Sequence, residues 1–345
     1  MGKRNATPRR TIRHLAFIGC ALVLAGCGAA TSGPTSPAGL PRATVLATIP
    51  TGTGPTLLAL SPDGARLYAA SKNALTTIDT SSNQVVGNVA IDAYTAGIAV
   101  APNGASAYLT TIFSTRLEVV DTVAMTKRSP RAMVVEPVVG GYGRLAVSPD
   151  GRTAYVTNGP NSRLTVVNLA GTGVSDILMD MRPEDITLSS DGARAYICGC
   201  KAFCTTGTIE VMDTASQNIT ATLSVGPQPY RILLSPDGSR AYTNNITDGT
   251  VSIVDLATAS VLATTQVGPE PTGLAVSPDG RLVYTTGLHS GVLSALDATT
   301  GMLRGSVGIG GATREVVVSR DGTRAYVSTM DAVLVVDTAP LRGGA

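Results

Sequence analysis

Leu234-Ser235-Pro236-Asp237-Gly238-Ser239-Arg240-Ala241-Tyr242 is the stretch that decides the fold, because variants of it occur seven times along the chain. The turn glycine recurs at Gly64, Gly104, Gly151, Gly192, Gly238, Gly280 and Gly322, in steps of 40 to 47 residues. A tyrosine stands four residues after each one: Tyr68, Tyr108, Tyr155, Tyr196, Tyr242, Tyr284 and Tyr326. Seven of the ten tyrosines therefore occupy one repeat position, which random placement does not produce.

Each unit reads as four strands. In the sixth, the apolar run Thr272-Gly273-Leu274-Ala275-Val276 leads into Ser277-Pro278-Asp279-Gly280. Proline presets φ for the second turn position, aspartate suits the third, and glycine accepts the left-handed conformation that returns the chain. The second strand, Arg281 to Thr286, follows at once; the third, Gly291 to Leu296, ends at Asp297. That end position is Asp79, Asp121, Asp213, Asp255, Asp297 or Asp337 in six units and Asn168 in the other. A carboxylate there bonds the amides of the next turn. A fourth strand, Met302 to Val307, leads to the next unit.

Four antiparallel strands repeated at this period predict an all-β, seven-bladed β-propeller of four-stranded blades, with the tyrosines packed between neighbours. The second-strand texts Tyr155-Val156-Thr157-Asn158 and Tyr242-Thr243-Asn244-Asn245 resemble the YVTN-type propeller repeat of bacterial secreted and surface proteins. The last unit stops after its third strand, Val333 to Asp337, while the first is preceded by Val45-Leu46-Ala47-Thr48-Ile49-Pro50-Thr51-Gly52. This segment mirrors Val261 to Gly268, so the N-terminal strand is expected to complete blade seven and leave no open edge.

The N-terminus reads as an export signal. Lys3, Arg4, Arg9, Arg10 and Arg13 precede the apolar run Leu15 to Leu24, which has the length of a signal core and is too short for a permanent membrane span. Leu24-Ala25-Gly26-Cys27 resembles the lipobox of bacterial lipoproteins, a family in which the cysteine is diacylated and becomes the mature N-terminus. Residues 28–41 are rich in Gly, Ala, Ser, Thr and Pro and suit a flexible tether. The expected organisation is a signal peptide over 1–26, the lipidated Cys27 and tether over 27–42, the propeller over 43–339 and a tail over 340–345. The resemblance implies anchoring by lipid, at the outer face of the cytoplasmic membrane or elsewhere in the cell envelope, and a monomer is expected.

The formal charge is +2, and without the five signal-region cations the rest stands at −3. That balance argues against a broad nucleic-acid-binding face, which needs a basic excess.

Variable loops on a rigid scaffold carry binding. At the start of the innermost strands two positions vary most in charge. The outer reads Thr56, Ala96, Gly143, Glu184, Tyr230, Thr272, Arg314, and the next reads Leu57, Gly97, Arg144, Asp185, Arg231, Gly273, Glu315. Arg144, Glu184, Asp185, Tyr230, Arg231, Arg314 and Glu315 are thus candidate ligand-binding residues at the channel mouth, since arginine recognises carboxylate and phosphate bidentately. Mutual ion pairing is the alternative use of the same groups.

Blade four carries the other departure, seventeen residues from Tyr196 to Asp213 where other units have eleven or thirteen. The extra length holds Cys198, Cys200 and Cys204. In an oxidising compartment such spacing suggests one disulfide, Cys200–Cys204 first and Cys198–Cys204 second. No metal and no cofactor are expected. The chain has only two histidines, His14 and His289, too few for haem or copper ligation by several imidazoles.

The function expected from these features is a lipid-anchored, non-enzymatic propeller that presents one face to a protein, a glycan or a small polar ligand. Two alternatives come from architectural resemblance. One is a propeller lactonase with a channel metal, for which Glu184, Asp185, Glu315 and Asn158 or Asn244 would be the ligands. The other is an accessory subunit of a periplasmic redox enzyme.

Overall fold

The computed structural model describes residues 43–52, 54–112, 114–133, 143–201 and 204–342. The export signal, Cys27 and the tether lie outside the described residues. Twenty-eight strands form seven four-stranded antiparallel sheets, each in simple sequential order except the last. Blade five is representative: Pro229–Leu234, Arg240–Asn245, Thr250–Asp255 and Ser260–Gln266 run from the channel to the rim.

Blade seven consists of Val316–Val318, Arg324–Ser328 and Ala332–Asp337, completed by the N-terminal strand Val45–Pro50. Val45 pairs with Val336 and Pro50 with Ala332, antiparallel, so one sheet joins both ends of the described chain. The protein is a seven-bladed β-propeller. A short helix, Ala339–Arg342, follows, and its Leu341, in the segment expected to be a tail, is buried in the core between blades six and seven.

The core is divided seven ways, one apolar cluster per pair of adjacent blades. Tyr68 packs with Leu109 and Val120 of the next blade, and Tyr326 of blade seven with Leu58 and Leu67 of blade one. Each cluster therefore acts as an adhesive between sheets, and burying each tyrosine removes some 150–250 Å² of surface from water.

The repeated turns lock one end of the ring. In Ser235-Pro236-Asp237-Gly238 the serine hydroxyl donates to Asp237 Oδ1 (2.5 Å), and that oxygen also accepts from the amide of Ser239 (3.0 Å). The glycine takes φ +70°. Successive turns touch: a Cβ at Gly192 would stand 2.8 Å from Pro149 Cδ of the preceding blade. The aspartates ending the third strands accept from the following turn amides, as Asp255 does from Ala257 and Thr258.

Candidate functional site

The innermost strands start at the opposite end from these turns, and their first residues converge on the ring axis. Arg144 of blade three, Asp185 of blade four, Arg231 of blade five and Glu315 of blade seven form one charge cluster there. Arg144 Nη1 lies 3.2 Å from Glu315 Oε2, Arg231 Nη1 lies 3.4 Å from the same oxygen, and Arg231 Nε lies 3.5 Å from Asp185 Oδ2. Their side chains are 10%, 6%, 15% and 2% exposed in that chain order, so the pairs are buried rather than solvated.

Backbone bonds hold the cluster's members in place. Asp185 Oδ2 accepts from the Ile232 amide (3.1 Å), the Arg231 amide donates to Asn244 Oδ1 (2.8 Å), and the Glu315 amide donates to the Ser328 hydroxyl (2.9 Å). The Tyr230 ring lies 5.2 Å from the Arg144 guanidinium carbon, within cation–π range. Two cations face two carboxylates, so the cluster's formal charge sums to zero.

Burial pushes the Asp185 carboxyl up to about 7, against the pull of Arg144. It pushes Glu315 upward too, again opposed by Arg144. Arg144 stays cationic: Glu315, Tyr230 and Asp185 outweigh its desolvation. Glu315 Oε1 and Asn244 Nδ2 have no hydrogen-bond partner among the described residues. A cavity of about 210 Å³ opens beside the cluster, lined by Arg144, Asp185 and Arg231 on its polar side and by Ile98, Ile186 and Ile232 on its apolar side. Ligand pockets typically run from about 300 to 1,000 Å³, so this one suits a small molecule or a few waters of about 30 Å³ each.

The remaining sequence-predicted residues stand apart from the buried cluster. Glu184 pairs with Arg182 at 3.4 Å, and burial raises its carboxyl above the ordinary range. Arg314 is half-buried and makes no ion pair among the described residues. In blade four, Cys200 and Cys204 are joined by a disulfide, with Cα atoms 4.9 Å apart. Cys198 is a free thiol with no exposure, and burial raises its pKa.

The channel donors do not fit a divalent cation. Asp185 and Glu315 hold arginines, Asn244 Oδ1 accepts from the Arg231 amide, and Asn158 Oδ1 accepts from Asn161 (3.0 Å). Among the described residues no group of three or more His, Cys, Asp or Glu is placed to hold a metal.

Two features escaped the sequence reading. The first is an exposed run on the loop-rich face. Met330 (60% exposed), Tyr94 (45%) and Ile112 (37%) follow one another over blades seven, one and two, and Lys72 sits 4.9 Å above the Tyr94 ring. Around them Gly54 of blade one abuts the Met330 carbonyl, the Thr95 hydroxyl donates to the Ser71 carbonyl (3.1 Å), and the Ile112 amide donates to the Tyr94 carbonyl (2.8 Å). The second is a cleft between blades two and three.

No family model matches the chain, and no curated protein does. Among solved structures, a chain of Kuenenia stuttgartiensis hydrazine synthase is similar with a TM-score of 0.75, over 84% of this chain and 97% of that one, at 20% identity. The β-propeller domain of Myceliophteria thermophila Cps50 (Swd1) is similar with a TM-score of 0.73, over 86% and 99%, at 10% identity. Likenesses this remote in sequence are likenesses of fold.

Proposed function

We propose that this chain is an exported, lipid-anchored propeller of the YVTN type, held to the envelope through Cys27, which docks a protein partner on its loop-rich face. The observation that carries the reading is the exposure of Met330, Tyr94 and Ile112 on that face, with Lys72 over the Tyr94 ring. Large side chains left in water on one face of a rigid scaffold characterise interaction faces. The axial charge cluster lies beneath as an internal tie, its formal charges cancelled by one another.

The test places a photo-crosslinking amino acid at Tyr94 and, as a control, at Ser190 on the opposite end, in cells that make the native protein. Adducts with one discrete protein at position 94 and none at 190 support the docking face; adducts at 190 alone overturn it. Cys27→Ser should release the protein from the membrane fraction.

A second reading, a small polar ligand at the channel mouth, draws on the cavity of about 210 Å³ lined by Arg144, Asp185 and Arg231. Arg144→Ala with Arg231→Ala, in a folded protein that still binds the ligand, would remove it. The lactonase alternative conflicts with the occupied channel carboxylates. An accessory role in a redox enzyme rests on architectural resemblance.

A further inference from the structure

One of the seven gaps between blades covers its tyrosine less completely than the others. Six repeat tyrosines are at most 6% exposed, whereas Tyr108 of blade two is only half-buried. In several of the other gaps the turn between the third and fourth strands of the following blade approaches the tyrosine through a threonine. Its first residue meets the tyrosine: the Thr122 hydroxyl stands by Tyr68, Thr214 by Tyr155, and Thr80 by Tyr326. Tyr108 packs with Leu169 at that position, as the buried Tyr196 does with Leu256, so the first residue of the turn is not what leaves it half-buried.

Met125 fills the gap between blades one and two, its side chain 3.0 Å from where a Cβ on Gly87 would be. Leu341 does the same between blades six and seven, against Gly305. In blade three the corresponding residues are Gly171-Thr172-Gly173, and both glycines fold back on their own Asn168. A cleft of about 510 Å³ remains between blades two and three, within the ordinary range of ligand sites of about 300–1,000 Å³.

The chemistry of its walls is one-sided. Arg128 and Arg131 line the cleft and no carboxylate does. Asp121 occupies Nε and Nη2 of Arg128. Arg131 has no acidic partner among the described residues; its Nη1 donates to the Gly171 carbonyl at 2.5 Å. One bond to a main-chain acceptor thus fixes the guanidinium and leaves the rest of its fork free, the arrangement that receives a carboxylate bidentately at low entropic cost. Ser129 and Asn168 add neutral hydrogen-bonding groups, and the Tyr108 ring with Val119 supplies an apolar floor.

We infer that this cleft binds a carboxylated sugar: the acid against Arg131, the ring over Tyr108 and Val119, and the hydroxyls toward Ser129 and Asn168. A bare inorganic anion leaves the floor uncovered, and a neutral sugar leaves the Arg131 guanidinium without a counter-charge. The inference is independent of the reading of the loop-rich face.

The test is saturation-transfer NMR on the purified full chain with D-glucuronate, D-glucose and inorganic phosphate as probes. Glucuronate is expected to bind in the millimolar range or tighter and glucose to give no transfer. Arg131→Gln should weaken glucuronate by roughly tenfold or more with the melting temperature unchanged, as expected for loss of charge-assisted hydrogen bonds. Arg128→Gln serves as the second variant should Arg131→Gln not fold. No transfer from glucuronate, equal transfer in the folded variant, or displacement by an equal concentration of phosphate overturns the inference.

Discussion

Arg144 and Glu315 are 171 residues apart in the chain and meet across the propeller axis at 3.2 Å, with Arg231 bound to the same carboxylate oxygen. They belong to blades three and seven, so their contact spans the ring rather than joining neighbours. Removing one partner of a buried pair leaves the other charge without compensation, a cost of about 3–5 kcal/mol. Glu315→Ala should therefore unfold at markedly lower urea concentration. A double-mutant cycle with Arg144→Met should show strong coupling; additive effects would mean the pair does not act as a tie.

Ring closure predicts a comparable effect from the other end of the chain. Val45–Pro50 supplies the fourth strand of blade seven, and Ile49 is buried in the cluster between blades seven and one. Deletion of Thr44 to Ile49 exposes an edge and one face of that cluster, so the melting temperature should fall sharply. An unchanged value would be incompatible with the pairing.

Two glycines separate backbone strain from packing. Gly192 and Gly238 share φ near +70°, but a Cβ meets Pro149 Cδ at 2.8 Å in the first and nothing within 4 Å in the second. The difference arises because blade four has Ser190 where blade three has Pro149, which frees Gly238. Both substitutions to alanine carry the left-handed penalty of about 1 kcal/mol. Gly192→Ala should be the more destabilising by equilibrium unfolding, and equal losses would refute the contact.

Acid should act on the turn end of the ring. Eleven aspartates there have pKa values below the ordinary carboxylate range. For Asp237, at about 2, the Ser235 hydroxyl is the main cause and the Ser239 amide the next. A depressed folded pKa gives stability that is present above the unfolded value near 3.8 and lost as pH falls through the folded one. The melting temperature should drop between about pH 4 and 2, and less steeply in Asp237→Asn. Asp185 has the opposite sign: raised to about 7 by burial, its contribution is complete below the unfolded value and fades as pH rises through 7. Asp185→Asn should flatten stability over that upper window in a pH series of thermal melts.

Thiol chemistry provides a direct count. With Cys200 and Cys204 joined and Cys198 free, the chain cleaved before Cys27 and blocked there should show one reactive thiol under denaturing conditions. Three would exclude the disulfide.

The architecture was legible in the sequence because its signals are local. Ser-Pro-Asp-Gly turns, the tyrosine four residues on and the aspartate ending the third strand each act within a few residues, through turn geometry and strand alternation. Their repetition sets the number of blades, and the unpaired strand text at Val45 to Gly52 announces closure. The seven charged or aromatic candidates at the channel mouth were also visible, as departures from the repeat. Their partners were not. Whether Arg144 faces a ligand or Glu315 depends on which angular positions the blades occupy around the axis and how deeply each side chain sits. Only the closed ring brings Arg144, Asp185, Arg231 and Glu315 within 3.5 Å contacts and takes them out of water. The cleft at Tyr108 is likewise a tertiary outcome. Its tyrosine matches the other six in sequence, yet it stands half-exposed beside a cleft lined by Gly171-Thr172-Gly173 of the next blade. Local chemistry determined the strands and turns of this protein; the packing of one blade on the next decided which of its polar groups are satisfied and which remain open to a ligand.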